Sequence, residues 1–115
     1  MKRDTIKNHA DFAMAENDPV AKSAYFLVRA KNAKFLGDAR YGMIITKKTF
    51  KHAVDRNRAK RMLRDWIAFT EHMMRPEWDY VFIIRRAILE ADRTSGRVAM
   101  KKALNYLRKQ EINAA

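Results

Sequence analysis

Six residues, Tyr80 to Arg85 (YVFIIR), constrain the fold of this 115-residue chain more than any other stretch. They are rich in aromatic and β-branched side chains, which favours a strand. The run is apolar at odd and even positions alike, so neither face of that strand can be left in water. Such a strand belongs in the middle of a sheet, with its faces covered by other elements. The rest of the chain must supply its neighbours and its cover.

Two earlier segments read as strands, Ala24 to Ala30 (AYFLVRA) and Arg40 to Thr46 (RYGMIIT), with a turn region at Asn32 to Asp38 between them. The order predicts that these two strands pair antiparallel. Gly42 inside the second suggests a bulge or a close backbone approach. Three segments read as helices. The first starts at Asn8, a capping side chain with Asp11 three residues on, and is stopped by Asp18-Pro19. The second runs from about Arg56 to Thr70. The third begins near Thr94 or Ser95 and ends near Gln110, with Met100, Ala103, Leu104 and Leu107 on one face at helical spacing. The expectation is a single domain over residues 1–115, of α+β class. It is a two-layer sandwich in which a small, mostly antiparallel sheet packs with three helices, in the order helix, strands, helix, strand, helix.

Charge then narrows the function. Twenty-five Lys and Arg stand against thirteen Asp and Glu, a net charge of +12. Such an excess repels itself on a small domain, and a polyanion relieves the repulsion. The charge is also focused. Residues 47–64 (KKTFKHAVDRNRAKRMLR) hold eight basic residues and one acid, Asp55, and so contribute +7. At about 100° per residue, Arg56, Asn57, Lys60, Arg61 and Arg64 fall on one side of a helix. Ala59, Met62, Leu63, Trp66, Ile67 and Phe69 fall on the other and can dock on a sheet. A solvated helix face ordinarily mixes signs in i,i+4 pairs. Here the one acid near the array is Asp65, at its margin. Guanidinium groups bind phosphate through two parallel hydrogen bonds, and Asn57 can both donate and accept toward a sugar hydroxyl or a base edge. The pattern points to nucleic acid.

At these residues the chain resembles the bacterial ribonuclease P protein subunit family. The likeness rests on Arg40-x-Gly42, on Lys47 and Lys48 closing the strand, and on the run Ala53, Val54, Arg56, Asn57, Arg58, Lys60, Arg61, Arg64 and Asp65. It is close over about Arg40 to Asp65 and weaker at Asn8 to Phe12 and Asp79 to Arg85. The resemblance implies a protein that binds a large catalytic RNA and assists it in removing the 5′ leader of precursor tRNA. Lys47, Lys48, Arg56, Asn57, Arg58, Lys60, Arg61 and Arg64 would face that RNA. Phe12 would line the leader cleft, with the early strands as its other wall. There Tyr25, Arg29 and Tyr41 are the candidates, because aromatic side chains on an exposed sheet can stack unpaired bases. The chain also departs from the family pattern. Glu16 stands where a second cleft aromatic is usual, and Thr49 and Phe50 replace small residues after the two lysines.

Intrinsic catalysis is not expected. There is no cysteine, and His9, His52 and His72 form no i,i+4 pair, so no zinc site is expected. Glu77 and Asp79 straddle Trp78 and read as charged residues of a turn. The expectation is therefore no catalytic residue, no metal ligand and no cofactor held by the protein, with magnesium required by the RNA. The partners would be the catalytic RNA and precursor tRNA, with neither a membrane nor a small-molecule substrate. No apolar run approaches the roughly 18 residues of a membrane span, and a cytoplasmic protein is expected. The alternative is a small ribosomal or RNA-chaperone protein, which charge alone does not exclude. A DNA-reading helix-turn-helix would want a helix just before the basic one, where Lys47 and Lys48 instead close a strand. An independent nuclease would want clustered metal-binding carboxylates.

Overall fold

The structure is a computed structural model and describes residues 4–5, 18–32 and 40–110. Five strands form one sheet: β1 (Asp4–Thr5), β2 (Val20–Lys22), β3 (Phe26–Asn32), β4 (Arg40–Ile44) and β5 (Trp78–Ile84). Two α-helices accompany them, α1 (Ala53–Thr70) and α2 (Arg93–Arg108), with 3₁₀ turns at Glu71–Met73 and Arg86–Glu90. The helix expected from Asn8 lies outside the described residues, so two of the three expected helices are seen.

The strand order is β1-β4-β5-β3-β2, which puts β5 at the centre. Its residues from Trp78 to Phe82 are all buried, as is Ile84, in keeping with its two apolar faces. The central place of β5 corrects the expected pairing. β3 and β4 are not neighbours, because β5 lies between them. It runs antiparallel to β3 and parallel to β4. The sheet is therefore mixed rather than mostly antiparallel, with β1–β4 parallel and β2–β3 antiparallel. The reason is physical. A strand spacing is about 4.8 Å and each residue of connection spans up to about 3.3 Å, so residues 33–39 can step over one strand. The most apolar strand then takes the slot where both edges and both faces are covered. The register through Gly42 is unbroken, with Gly42 opposite Val81, so the strand carries no bulge there.

Both helices pack on one face of this sheet. Phe26, Val28, Ala30, Tyr80, Phe82 and Ile84 meet Ala59, Leu63, Trp66 and Ile67 of α1, and Met100, Ala103, Leu104 and Leu107 of α2. The apolar stripe read in the last helix is thus core. α2 starts slightly earlier than expected. Asp92 caps it, its carboxylate accepting from the Ser95 amide at 3.1 Å. Hydrogen bonds from Ser95, by its side chain first and then its amide, hold the Asp92 carboxyl below the ordinary aspartate range. α1 and α2 touch through Gly96. A Cβ at that position would lie 2.0 Å from the Trp66 ring, so only glycine admits this approach.

Candidate nucleic-acid interface

The passage from β4 into α1 is held by side-chain and backbone bonds. The Thr46 hydroxyl accepts from the Thr49 amide at 3.2 Å and donates to the Thr49 hydroxyl at 3.0 Å. The Phe50 amide donates to the Thr46 carbonyl at 3.0 Å. This turn leaves Lys47 and Lys48 exposed at its tip, while Phe50 is fully buried and anchors the loop in the core. The Phe50 departure from the family pattern is therefore absorbed by packing. Two guanidinium groups complete the loop. Arg56 donates to the carbonyls of Phe50 at 2.7 Å and Lys51 at 3.3 Å, and Arg86 donates to that of Thr49 at 3.2 Å.

α1 divides as its sequence predicts, with a rotation. Ala59, Leu63, Trp66, Ile67 and Thr70 are buried. At 100° per residue that stripe leaves Arg56 and Lys60 at its margins, half-buried. Asn57, Arg58, Arg61 and Arg64 point outward and are exposed. Arg58 joins the array at the edge nearest α2, while Arg56 is committed in part to the loop. Phe69, expected on the core side, is 41% exposed. It lies over α2 instead, with the Arg97 guanidinium 4.2 Å and the Lys101 ammonium 5.3 Å from its ring centre. Val54 is exposed as well.

Asp65 does not neutralise the array. It accepts from Arg97 of α2 at 3.2 and 3.4 Å and lies 3.8 Å from Arg93. Among the described residues, Arg58, Lys60, Arg61 and Arg64 have no carboxylate within ion-pair distance. Four cationic side chains on one helix, unpaired and side by side, form a surface suited to a run of phosphates.

The candidates for the leader cleft separate. Phe12 and Glu16 lie outside the described residues. Arg29 projects from the sheet face away from the helices, since its neighbours Val28 and Ala30 point into the core. Its Nε is buried without a hydrogen-bond partner. Tyr41 pairs in register with Tyr80 and packs against the core on the helix side. The Tyr25 ring sits 5.7 Å from that of Trp66, also toward α1. Strand alternation thus puts Arg29 on one side and Tyr41 on the other, while Tyr25, in the bend before β3, is turned toward Trp66, and the three do not line one cleft. Leu27 and Lys31 share the Arg29 face by the same alternation, as does Lys22, opposite Leu27. The period-two pattern of β3 could have pointed to them.

Elsewhere the carboxylates have structural roles. Asp79 is a buried residue of β5 rather than a turn residue. Arg40 holds it with two hydrogen bonds, Nε to Oδ1 at 3.1 Å and Nη2 to Oδ2 at 2.7 Å. Glu77 is exposed and pairs with Arg75. Its own backbone amide, followed by Arg75, keeps its carboxyl below the ordinary glutamate range, which suits a permanent anion rather than a general acid. His52 precedes α1 without a side-chain cap, and both it and His72 are exposed. Among the described residues no group of His, Asp and Glu is placed to hold a metal ion, and no helix is long and apolar enough to cross a membrane.

Comparison with known proteins identifies the family and the fold. The Ribonuclease P family model matches residues 1–108. The ribonuclease P protein component of Idiomarina loihiensis is 35% identical over 91 residues, 79% of this chain and 69% of that one. The protein component of a Marinomonas species is 33% identical over 110 residues, 93% of this chain and 81% of that one. In fold the chain is similar to the Staphylococcus aureus RNase P protein. The TM-score is 0.74 at 24% identity, covering 91% of this chain and 95% of the other. The match over nearly the whole chain, together with the basic helix and its mixed sheet, places this protein in the ribonuclease P protein family.

Proposed function

We propose that this chain acts as the RNA-facing, non-catalytic subunit of ribonuclease P, binding the catalytic RNA through the outer face of α1 and assisting 5′ maturation of precursor tRNA. Membership of the family makes it a ribonuclease P protein component. The finer reading rests on one observation above all. Among the described residues, Arg58, Lys60, Arg61 and Arg64 have no carboxylate partners, and they flank the exposed Asn57 on a helix whose other side is core. Such a face costs the free protein some like-charge repulsion, which an RNA backbone removes. Lys47 and Lys48 extend the same positive surface.

In this reading chemistry belongs to the RNA and its magnesium ions, and the protein holds no cofactor. The leader of precursor tRNA is assigned to the sheet face that carries Arg29, whose unsatisfied Nε suits a phosphate or base acceptor. Phe12 is kept as the aromatic of that cleft, while Tyr25 and Tyr41 are assigned to packing. A cytoplasmic location goes with this role.

The test is reconstitution. RNA-free protein, prepared from a host lacking its own ribonuclease P, is assayed on labelled precursor tRNA with and without ribonuclease P RNA. The protein alone should give no cut. Added to the RNA at low magnesium, it should stimulate cleavage at the mature 5′ end. Clean cleavage by protein alone would overturn the assignment of catalysis to the RNA. Absence of stimulation would overturn the role as its subunit.

A further inference from the structure

The outer faces of α1 and α2 meet in a notch to which the basic-helix motif contributes one wall and a residue outside it, Arg93, contributes another. Arg58, Arg61, Met62, Asp65 and Trp66 line it from α1, and Arg93 lines it from the first turn of α2. Three guanidinium groups thus converge on a concavity with Met62 and Trp66 among its walls. Among the described residues the single carboxylate there is Asp65, and its oxygens already face Arg97 at 3.2 and 3.4 Å and Arg93 at 3.8 Å. Two cations on one anion leave the notch positive even before Arg58 and Arg61 are counted. Arg93 itself is 73% exposed, with most of its donors open to a ligand. The notch is also held in place. Gly96, three residues after Arg93, seats α2 directly on Trp66, so Arg93 cannot drift far from α1.

The geometry points to a phosphate-binding notch, in which Arg93 joins Arg58 and Arg61 to hold one phosphate group of the RNA, and Asp65 acts as a positioning residue for Arg93 and Arg97. This rests on the proposed RNA-binding role and adds a ligand from outside α1. A guanidinium fork suits the site because one arm can stay near Asp65 while the other donates to a phosphate oxygen. The RNA backbone would then run past the end of the α1 array onto α2.

Binding of ribonuclease P RNA to the full chain tests this, as salt titrations by filter binding. Arg93→Ala and Arg93→Gln should each weaken binding by about tenfold, the loss of one charge-assisted contact. Each should also reduce the magnitude of the log affinity against log salt slope by about 0.7–0.9, the value of one phosphate. Arg93→Lys should keep the slope and lose part of the affinity. Arg108→Ala, exposed near the far end of α2, should match wild type. Melting curves should coincide for all of them, since Arg93 is exposed. If the wild type binds in a salt-dependent way and neither charge-removing variant differs from it, the notch proposal fails alone. If Arg108→Ala loses as much as Arg93→Ala, the contact is diffuse and the notch proposal also fails. If the wild type shows no salt-dependent binding to this RNA, the underlying functional reading fails instead.

Discussion

Asp79 is the residue whose surroundings differ most from what its neighbours in sequence suggest. Beside Glu77 and before an apolar strand it reads as part of a turn. In the fold it is buried in β5, and its partner Arg40 comes from β4, thirty-nine residues earlier. No local pattern reveals a pairing over that distance. Removing one member of a buried ion pair leaves the other charged, desolvated and unpaired, at a cost of about 3–5 kcal/mol. Arg40→Ala should therefore lower the urea midpoint substantially. A joint replacement, Arg40→Met with Asp79→Leu, should restore most of the loss, because the charge is removed with its partner. A single variant as stable as wild type would show that the pair contributes little. Phe50 and Arg56 teach the same lesson. One is a loop residue that is core and the other an array residue that also ties down that loop through the carbonyls of Phe50 and Lys51. By contrast, the outward placement of Asn57, Arg61 and Arg64 was legible, since it needs only the helical period.

At the scale of elements, existence was legible and partnership was not. β5, α1 and α2 follow from composition and period, to within a few residues at each end. That β5 separates β3 from β4 depends on which strand profits most from the central slot, a comparison across the whole chain. The same holds for the two helices. Gly96 in the first turns of α2 reads from sequence as a weak helix position, yet it is where α2 lies against Trp66. Gly96→Ala should favour the isolated helix by about 1 kcal/mol and still destabilise the protein. A methyl group 2.0 Å from a ring that is 1% exposed must push α2 or Trp66 aside. Overpacking of this kind costs about 1–3 kcal/mol or more. A thermal melt followed by tryptophan fluorescence would show both a lower midpoint and a changed Trp66 environment. A raised midpoint would mean that the helix–helix contact is looser than it looks.

For the whole molecule, the consequence of this topology is that its two faces differ, although on the Arg29 side too Asp79, Val81 and the Arg29 Nε are buried. Both helices cover one side of the sheet, so the outward sides of α1 and α2 form one layer surface and the Arg29 side of the sheet another. Of the net +12, residues 47–64, in the loop before α1 and the first turns of α1, contribute +7. An RNA backbone bound there releases counterions, and affinity then falls with salt in proportion to the phosphates neutralised. With about five phosphates engaged, log affinity should fall with log salt at a slope near −4. The clean probes are Lys60, Arg61 and Arg64, which the structure leaves without ion-pair partners among the described residues. Their joint replacement by Ala should flatten the slope by about 2–3 while leaving the melting temperature nearly unchanged. Arg56→Ala should behave differently. It removes donors from the carbonyls of Phe50 and Lys51, so it should lower the melting temperature as well as the affinity. The two effects separate in a melt run beside a binding titration. An unchanged slope in the triple variant with a large loss of melting temperature would make the array a structural device and move the RNA to another face.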